Sequence, residues 1–89
     1  MTHPVPYRST PVFTNGTLPD ALRRAHSTKE GVWGLLKVLK GSILYVVEET
    51  GKRQIVQAPG TVIIHPQQLH YVQPHGDMQM QVDFYHEAP

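Results

Sequence analysis

The sequence predicts an all-β protein, built as a single antiparallel β-sandwich or barrel. Short apolar runs rich in β-branched and aromatic residues recur between Trp33 and Tyr85, and turn-forming residues separate them at regular spacing. The chain has 89 residues, which is enough for one domain. Helical periodicity is confined to one short segment, so an alternation of strands and helices is excluded.

Residues 1–12 are predicted to form an extended arm that precedes a β domain at residues 13–89. Three prolines fall within the first eleven residues, and prolines at this density prevent a helix. Such an arm has no internal hydrogen bonds, so it must add to a sheet edge of its own chain or of a second subunit. We expect a homodimer, because the core of so small a domain covers its apolar residues incompletely.

The remaining elements follow from local signals. Asn15 and Gly16 are typical of a tight turn, and residues 18–24 are predicted to form one helical turn with Pro19 near its start. Glycines and prolines then mark the loops between apolar runs. The predicted strands are 35–39, 43–47, 54–58, 61–64, 69–73 and 78–85, with a turn at 74–77.

The last predicted strand has the clearest alternation in the chain, which is typical of a strand with one face on the core. The predicted core face carries Met78, Met80, Val82 and Phe84, and the opposite face carries Gln79, Gln81, Asp83 and Tyr85. We expect the first set to be buried. We expect the two glutamines to be exposed or to lie at a subunit interface.

Composition excludes several classes of protein. The net charge is +1 and the basic residues are scattered, whereas nucleic-acid binding requires a clustered basic face. Cysteine is absent, so disulfides and thiolate zinc sites are impossible. No apolar run approaches the ~20 residues of a membrane span, and the first ten residues lack the layout of a signal peptide. We therefore expect a cytoplasmic protein without a nucleic-acid or membrane partner.

Two stretches resemble motifs of the cupin family. Residues 37–45, KVLKGSILY, resemble the strand–glycine–strand of cupins, and residues 58–60 with 64–66 and 70–72 resemble the second cupin motif. A wider set of residues looks like the TehB/YeaR-like domain, a small cupin-type domain associated with tellurite resistance. That set is residues 26–29 (HSTK), 31–34 (GVWG), 39–41 (LKG), Pro66, His70, Phe84 and Tyr85.

The resemblance covers residues 13–85. It implies a cupin-like antiparallel jelly roll whose family has no settled biochemical function. In some relatives this domain resembles an N-terminal attachment to a methyltransferase. This chain lacks a glycine-rich loop between a strand and a helix, so we expect a stand-alone form.

The predicted ligand site is the barrel mouth, where His26, Trp33 and His70 are the candidate lining residues. Barrel mouths are common sites for small molecules. His70 is equally compatible with a histidine bonded to the backbone at the barrel rim. For Trp33, packing in the core or at an interface is favoured over a role as a ligand platform.

A divalent metal is the possible cofactor, with His26 and His70 as candidate ligands. Cupins usually carry two histidines and a glutamate upstream of the glycine in the first motif. The corresponding positions here are Thr28, Glu30 and Gly34. His26 lies just outside that pattern, and His70 alone matches a ligand of the second motif. A catalytic metal needs about three protein ligands and an open position, so the cofactor stays unknown.

Three functions follow from these observations. The first is a binding module that holds a small molecule or oxyanion at the barrel mouth. The second is a metal-dependent cupin enzyme in which His26 and His70 hold the ion. The third is a structural homodimer without a ligand. The sequence leaves open whether the protein is an enzyme.

Overall fold

The polypeptide forms six antiparallel strands and one short 3-10 turn in a computed structural model that describes residues 3–89. In chain order the elements are β1 (Arg8–Ser9), β2 (Phe13–Thr14), the 3-10 turn (Asp20–Arg23), β3 (Trp33–Val47), β4 (Lys52–Gln57), β5 (Gly60–Ile64) and β6 (His70–Tyr85). The predicted all-β antiparallel fold is therefore confirmed.

The two long strands β3 and β6 form the centre of the sheet. They pair from Trp33 opposite Tyr85 to Val47 opposite His70. β4 and β5 both pair with the other side of β3, and β1 and β2 pair with β6. Within residues 3–89 the sheet is an open path from β1 to β4 and is not closed into a barrel.

Both long strands join runs that the sequence predicts as separate strands. β3 contains the predicted strands 35–39 and 43–47, and β6 contains residues 70–73 and 78–85. The predicted turn at 74–77 is wrong. The residues that suggested turns instead form irregularities within the ladder, where the pairing register shifts. Bulges of this kind bend and twist a strand without ending it.

Gly41 lies at the irregularity in β3. Its φ is +67°, a left-handed conformation that favours glycine, and a Cβ at this position would collide with the backbone carbonyl of Asp77 in β6. Gly41 thus allows the two backbones to approach each other closely. Glycines with a positive φ are also common in turns, which is why the sequence around Gly41 indicates a turn.

The hydrophobic core receives side chains from both halves of β3. Leu36 and Val38 point inward before the irregularity and Ile43 and Tyr45 after it, and each is at most 2% exposed. The inward positions change from even to odd numbers because the irregularity shifts the alternation by one residue. A strict alternation would turn the apolar residues of the second half outward.

The inner face of β6 is buried largely as predicted. Met78, Met80 and Val82 are at most 5% exposed. Phe84 is only partly buried, because it borders a cavity. On the opposite face Gln79 and Gln81 are both half-buried, which is less exposed than the sequence predicts for a solvent-facing position.

The outer face of β6 is more buried than the sequence predicts, since Asp83 and Tyr85 are each 7% exposed. Ser9 lies opposite Asp83, and its hydroxyl donates a hydrogen bond of 2.7 Å to the carboxylate. Lys37 Nζ lies 2.9 Å from the second carboxylate oxygen. Burial opposes ionisation of Asp83, but the bonds from Ser9 and Lys37 hold its pKa below its usual value.

The arm pairs with β6 of its own chain. Tyr7 N donates to Phe84 O and Thr10 N donates to Val82 O, both at 2.9 Å. The Tyr7 ring stacks on His86 with the ring centroids 3.8 Å apart. The arm therefore covers an edge of its own sheet, and the homodimer stays a prediction.

The predicted helical turn is present as the 3-10 turn that follows Pro19. It is the only helix in residues 3–89. No helix in this part of the chain has the length and apolar character needed to cross a membrane.

Candidate functional site

A cavity of about 370 Å³ opens beside β6. Its deepest residues belong to the sheet and are at most 5% exposed, whereas the arm and the segment before β3 supply exposed or half-buried residues at its rim. The deep apolar residues are Leu36, Ile64, Val72, Met80 and Val82. The polar lining residues are Arg8, Thr10, His26, Ser27, Thr28, Lys29 and His70.

His26 and His70 are brought together by backbone pairing. Each backbone N–H donates to the carbonyl of the other residue at 2.9 Å, which makes an isolated antiparallel bridge. Residues directly opposite in such a pair project to the same side of the ladder. The two imidazole rings accordingly lie edge to face with their centroids 4.2 Å apart, and both border the cavity.

Both rings are held by the same kind of local hydrogen bond. His26 Nδ1 lies 2.8 Å from the carbonyl oxygen of Arg24, and His70 Nδ1 lies 2.8 Å from that of Gln68. A carbonyl oxygen only accepts, so each Nδ1 carries the proton. A neutral ring of this tautomer presents Nε2 as a hydrogen-bond acceptor, and neither Nε2 has a hydrogen-bond partner among the described residues.

His70 lies in a low-polarity environment and is 2% exposed. Burial lowers its pKa below the ordinary value; the bond to the Gln68 carbonyl opposes this shift, and the neighbouring His26 adds to it. His70 is therefore neutral at pH 7. The Tyr45 ring stacks on His70 at 5.5 Å, and burial raises the pKa of Tyr45 to about 12, so Tyr45 is also neutral.

The charged lining residues of the cavity are all basic. Arg8 and Lys29 are exposed at the rim, and no acidic residue lines the cavity in the described part of the chain. The salt bridge found within residues 3–89 joins Lys37 to Asp83, so it neutralises neither rim cation. This charge distribution favours an anionic occupant over a cationic one.

The donor set does not fit a metal site with three protein ligands. Residues 3–89 contain no group of three His, Cys, Asp or Glu side chains placed to hold an ion. His26 and His70 supply two nitrogens. Glu30, which the cupin pattern would place as a ligand, is exposed and does not line the cavity. Metal binding by the two histidines alone stays a prediction.

Trp33 does not share the cavity with the histidines. It lies at the start of β3, where its ring packs against His65 with the centroids 4.9 Å apart, and it is not among the residues that line the cavity. Of the three predicted lining residues, only His26 and His70 border the cavity. Packing at the end of the sheet, the alternative use of Trp33, matches its placement.

Arg8 and Thr10 are lining residues that the sequence does not indicate. They reach the cavity because the arm adds to β6, which is a contact between the two ends of the chain. Lys29 and Thr28 are close neighbours of His26 in the sequence, and their place at the rim follows from that proximity. No local signal could identify Arg8.

Comparison with known proteins identifies the family. The TehB-like domain model matches residues 8–82. The chain belongs to the TehB-like domain family. The TehB-like domain described here is also similar to the crystal structure of TehB from Haemophilus influenzae, with a TM-score of 0.79 and 31% identity over 91% of this chain and 30% of that one.

Other relatives extend this comparison. A protein of Escherichia coli strain K12 with a crystal structure has a TM-score of 0.83 and 23% identity over 97% of this chain and 92% of its own, which supports the fold alone. Two H. influenzae proteins named as probable S-adenosyl-L-methionine-dependent methyltransferase TehB are 46% and 44% identical over 46 residues. This chain matches 16% of their length. The cupin-type and YeaR-like parts of the resemblance stay predictions.

Proposed function

We propose that this TehB-like domain is a binding module that holds a small molecule or oxyanion in the cavity bordered by His26 and His70. One observation carries the proposal: the cavity has two basic residues at its rim, paired imidazoles in its wall and no acidic lining residue among those described. Its volume of about 370 Å³ falls within the range of roughly 300–1,000 Å³ that is usual for small-molecule pockets.

Calorimetric titration of the intact chain tests this function. The probes are tellurite, which the family resemblance suggests, phosphate and a panel of small carboxylates. We expect at least one anion to bind. His26→Ala should weaken that binding roughly threefold to tenfold, because it removes an imidazole ring of the cavity wall against which the occupant packs.

His75→Ala is the matched control, since His75 is exposed and lies outside the cavity lining. It should leave the affinity unchanged. Equal affinities of the intact chain and His26→Ala, or no binding by any probe, would contradict the proposed site.

The metal-dependent enzyme is the less favoured function. Two imidazole donors leave a divalent ion short of the three protein ligands usual in catalytic sites. Metal analysis of protein purified without a chelator would detect an ion. If the protein contains a stoichiometric ion and His26→Ala loses it, the metal-dependent enzyme becomes the favoured function.

The methyltransferase name belongs to relatives that are much longer than the region they share with this chain. The H. influenzae relatives are named as methyltransferases, but this chain matches 16% of their length. Residues 3–89 hold no strand that leads through a glycine-rich loop into a helix longer than the 3-10 turn. We therefore propose a binding role for this domain and not the transfer step.

Homodimer formation and a cytoplasmic location are proposed on the grounds given by the sequence. Sedimentation equilibrium at roughly tens of micromolar tests the dimer, because an apolar interface of standard size holds at that concentration. A monomer with the arm paired to its own β6 would end the dimer proposal.

A further inference from the structure

We propose that the natural occupant of the cavity is an amphipathic organic monoanion, with an apolar carbon body on the cavity floor and a carboxylate head at the rim near Arg8 and Lys29. This inference rests on the proposed binding function and names the class of ligand. Such a ligand differs from an inorganic oxyanion because most of its binding energy comes from its apolar body.

The floor of the cavity is apolar, which favours a hydrocarbon body over an inorganic ion. Leu36, Ile64 and Met80 are at most 3% exposed, and Val72 and Val82 are at most 5% exposed, so the floor belongs to the hydrophobic core. An inorganic oxyanion placed against this surface would lose its hydration without gaining hydrogen bonds, which is costly. A hydrocarbon body gains free energy there in proportion to the apolar area removed from water.

The cavity is larger than a small inorganic oxyanion can fill. Its volume is about 370 Å³, and a water molecule takes a share of about 30 Å³ in the liquid. The cavity thus accommodates roughly a dozen waters. A four-atom oxyanion would leave most of this space to water on an apolar surface, whereas an organic acid with several carbons would fill it.

The orientation of the ligand follows from the charges and the histidines. The exposed residues at the rim include Arg8 and Lys29, which attract an anion. The polar group at depth is His70, which is neutral and presents its Nε2 as an acceptor because Nδ1–H donates to Gln68. An ionised carboxylate at that depth would face a lone pair. The head therefore points outward and the body inward.

A homologous series of probes tests this proposal on the intact chain. The probes are straight-chain carboxylates from butanoate to decanoate, octan-1-ol as the uncharged partner of octanoate, and tellurite as the inorganic anion. Methyl-resolved NMR titration at pH 7.5 gives both the affinity and the place of binding. We expect affinity to rise by up to about fourfold per added methylene until the cavity is full, and octanoate to bind more tightly than octan-1-ol.

A matched pair of double variants isolates the role of the rim charge. Arg8→Gln with Lys29→Gln should abolish the advantage of octanoate over octan-1-ol. Lys52→Gln with Arg53→Gln removes the same charge from exposed positions in β4, outside the cavity lining, and should preserve that advantage.

The possible outcomes separate this inference from the proposed function. Tellurite binding in the cavity, with carboxylate affinity independent of chain length, overturns the inference and leaves the binding function standing. Carboxylate-induced shifts at the exposed methyls of Ile55 and Ile63, in place of Leu36 and Ile64, indicate surface adsorption and also overturn the inference. Cavity methyls that respond to none of the probes overturn both proposals.

Discussion

The two faces of β6 are buried by different physical means. On the inner face Met78, Met80 and Val82 pack into the hydrophobic core, and their burial follows from the alternation of the sequence. On the outer face Asp83 is buried by polar contacts with Ser9 of the arm and Lys37 of β3. One face is thus specified by a local pattern, and the other by a contact between distant parts of the chain.

Gly41→Ala is the substitution with the largest expected effect, because it disturbs both faces at once. An alanine would adopt a left-handed backbone and also collide with the Asp77 carbonyl. The loss in unfolding free energy should exceed about 4 kcal/mol, beyond the range of ordinary substitutions. Urea denaturation measures it.

The control for Gly41→Ala is Gly51→Ala. Gly51 has a φ of +69°, and no atom of another part of the chain would lie within 4 Å of an added Cβ, so this variant carries the backbone strain without the collision. It should lose only about 1–2 kcal/mol. Equal losses at the two positions would show that the close approach of β3 and β6 at Gly41 is unimportant for stability.

Met80→Ala tests the inner face alone. Met80 is 0% exposed, so removing its side chain leaves a cavity in the core and should lower the unfolding free energy by about 2–5 kcal/mol. Ile55→Ala, at a position that is 50% exposed, should change it by less than about 1 kcal/mol. Similar losses in the two variants would contradict the assignment of the core face.

Asp83→Asn tests the outer face through its pH dependence. The folded-state pKa of Asp83 is lowered, so the stability it contributes is present above the unfolded value of about 3.9 and is lost as the pH falls through the folded value. Asp83→Asn should therefore lose about 1–3 kcal/mol at pH 7. The difference from the natural chain should shrink below about pH 4; a difference independent of pH would exclude the charged contacts as its cause.

Ser9→Ala should have the smallest effect, because it removes one hydrogen bond from the outer face and keeps the Lys37 contact. We expect a loss of about 0.5–1.5 kcal/mol by urea denaturation. Thr50→Ala is the control, because it removes a hydrogen bond of the exposed loop before β4, in which Thr50 Oγ1 accepts from Lys52 N. If Ser9→Ala were as damaging as Asp83→Asn, the arm and not Lys37 would dominate the stabilisation of Asp83.

Local patterns in the sequence predict the strands of this fold but not how they join. The runs around Leu36 and Ile43 are recognisable from their composition, because β-branched and aromatic residues favour pleated structure. Gly41 and Gly76 indicate turns in the sequence, and both adopt a positive φ in the structure. Positive φ is shared by turns and bulges, so the sequence alone could not show that β3 and β6 continue through them.

The site is less predictable than the fold because it depends on long-range pairing. The sequence indicates His26 and His70 as separate residues of interest, whereas their contact depends on a bridge between segments far apart in the chain. Trp33 does not lie with them in the structure, where its ring packs against His65. Arg8 enters only when the arm meets β6. Each of these placements is set by tertiary pairing that no local window contains.

The identical bonds from the two Nδ1 atoms to backbone carbonyls have a further consequence for binding. They hold both imidazoles in one rotamer before any ligand arrives. Immobilising a side chain on association typically costs about 0.5–1.5 kcal/mol, and folding has already ordered these two rings. The imidazole part of the cavity wall is thus preorganised, so a ligand that fits can bind the free domain without first selecting a rare arrangement of the histidines.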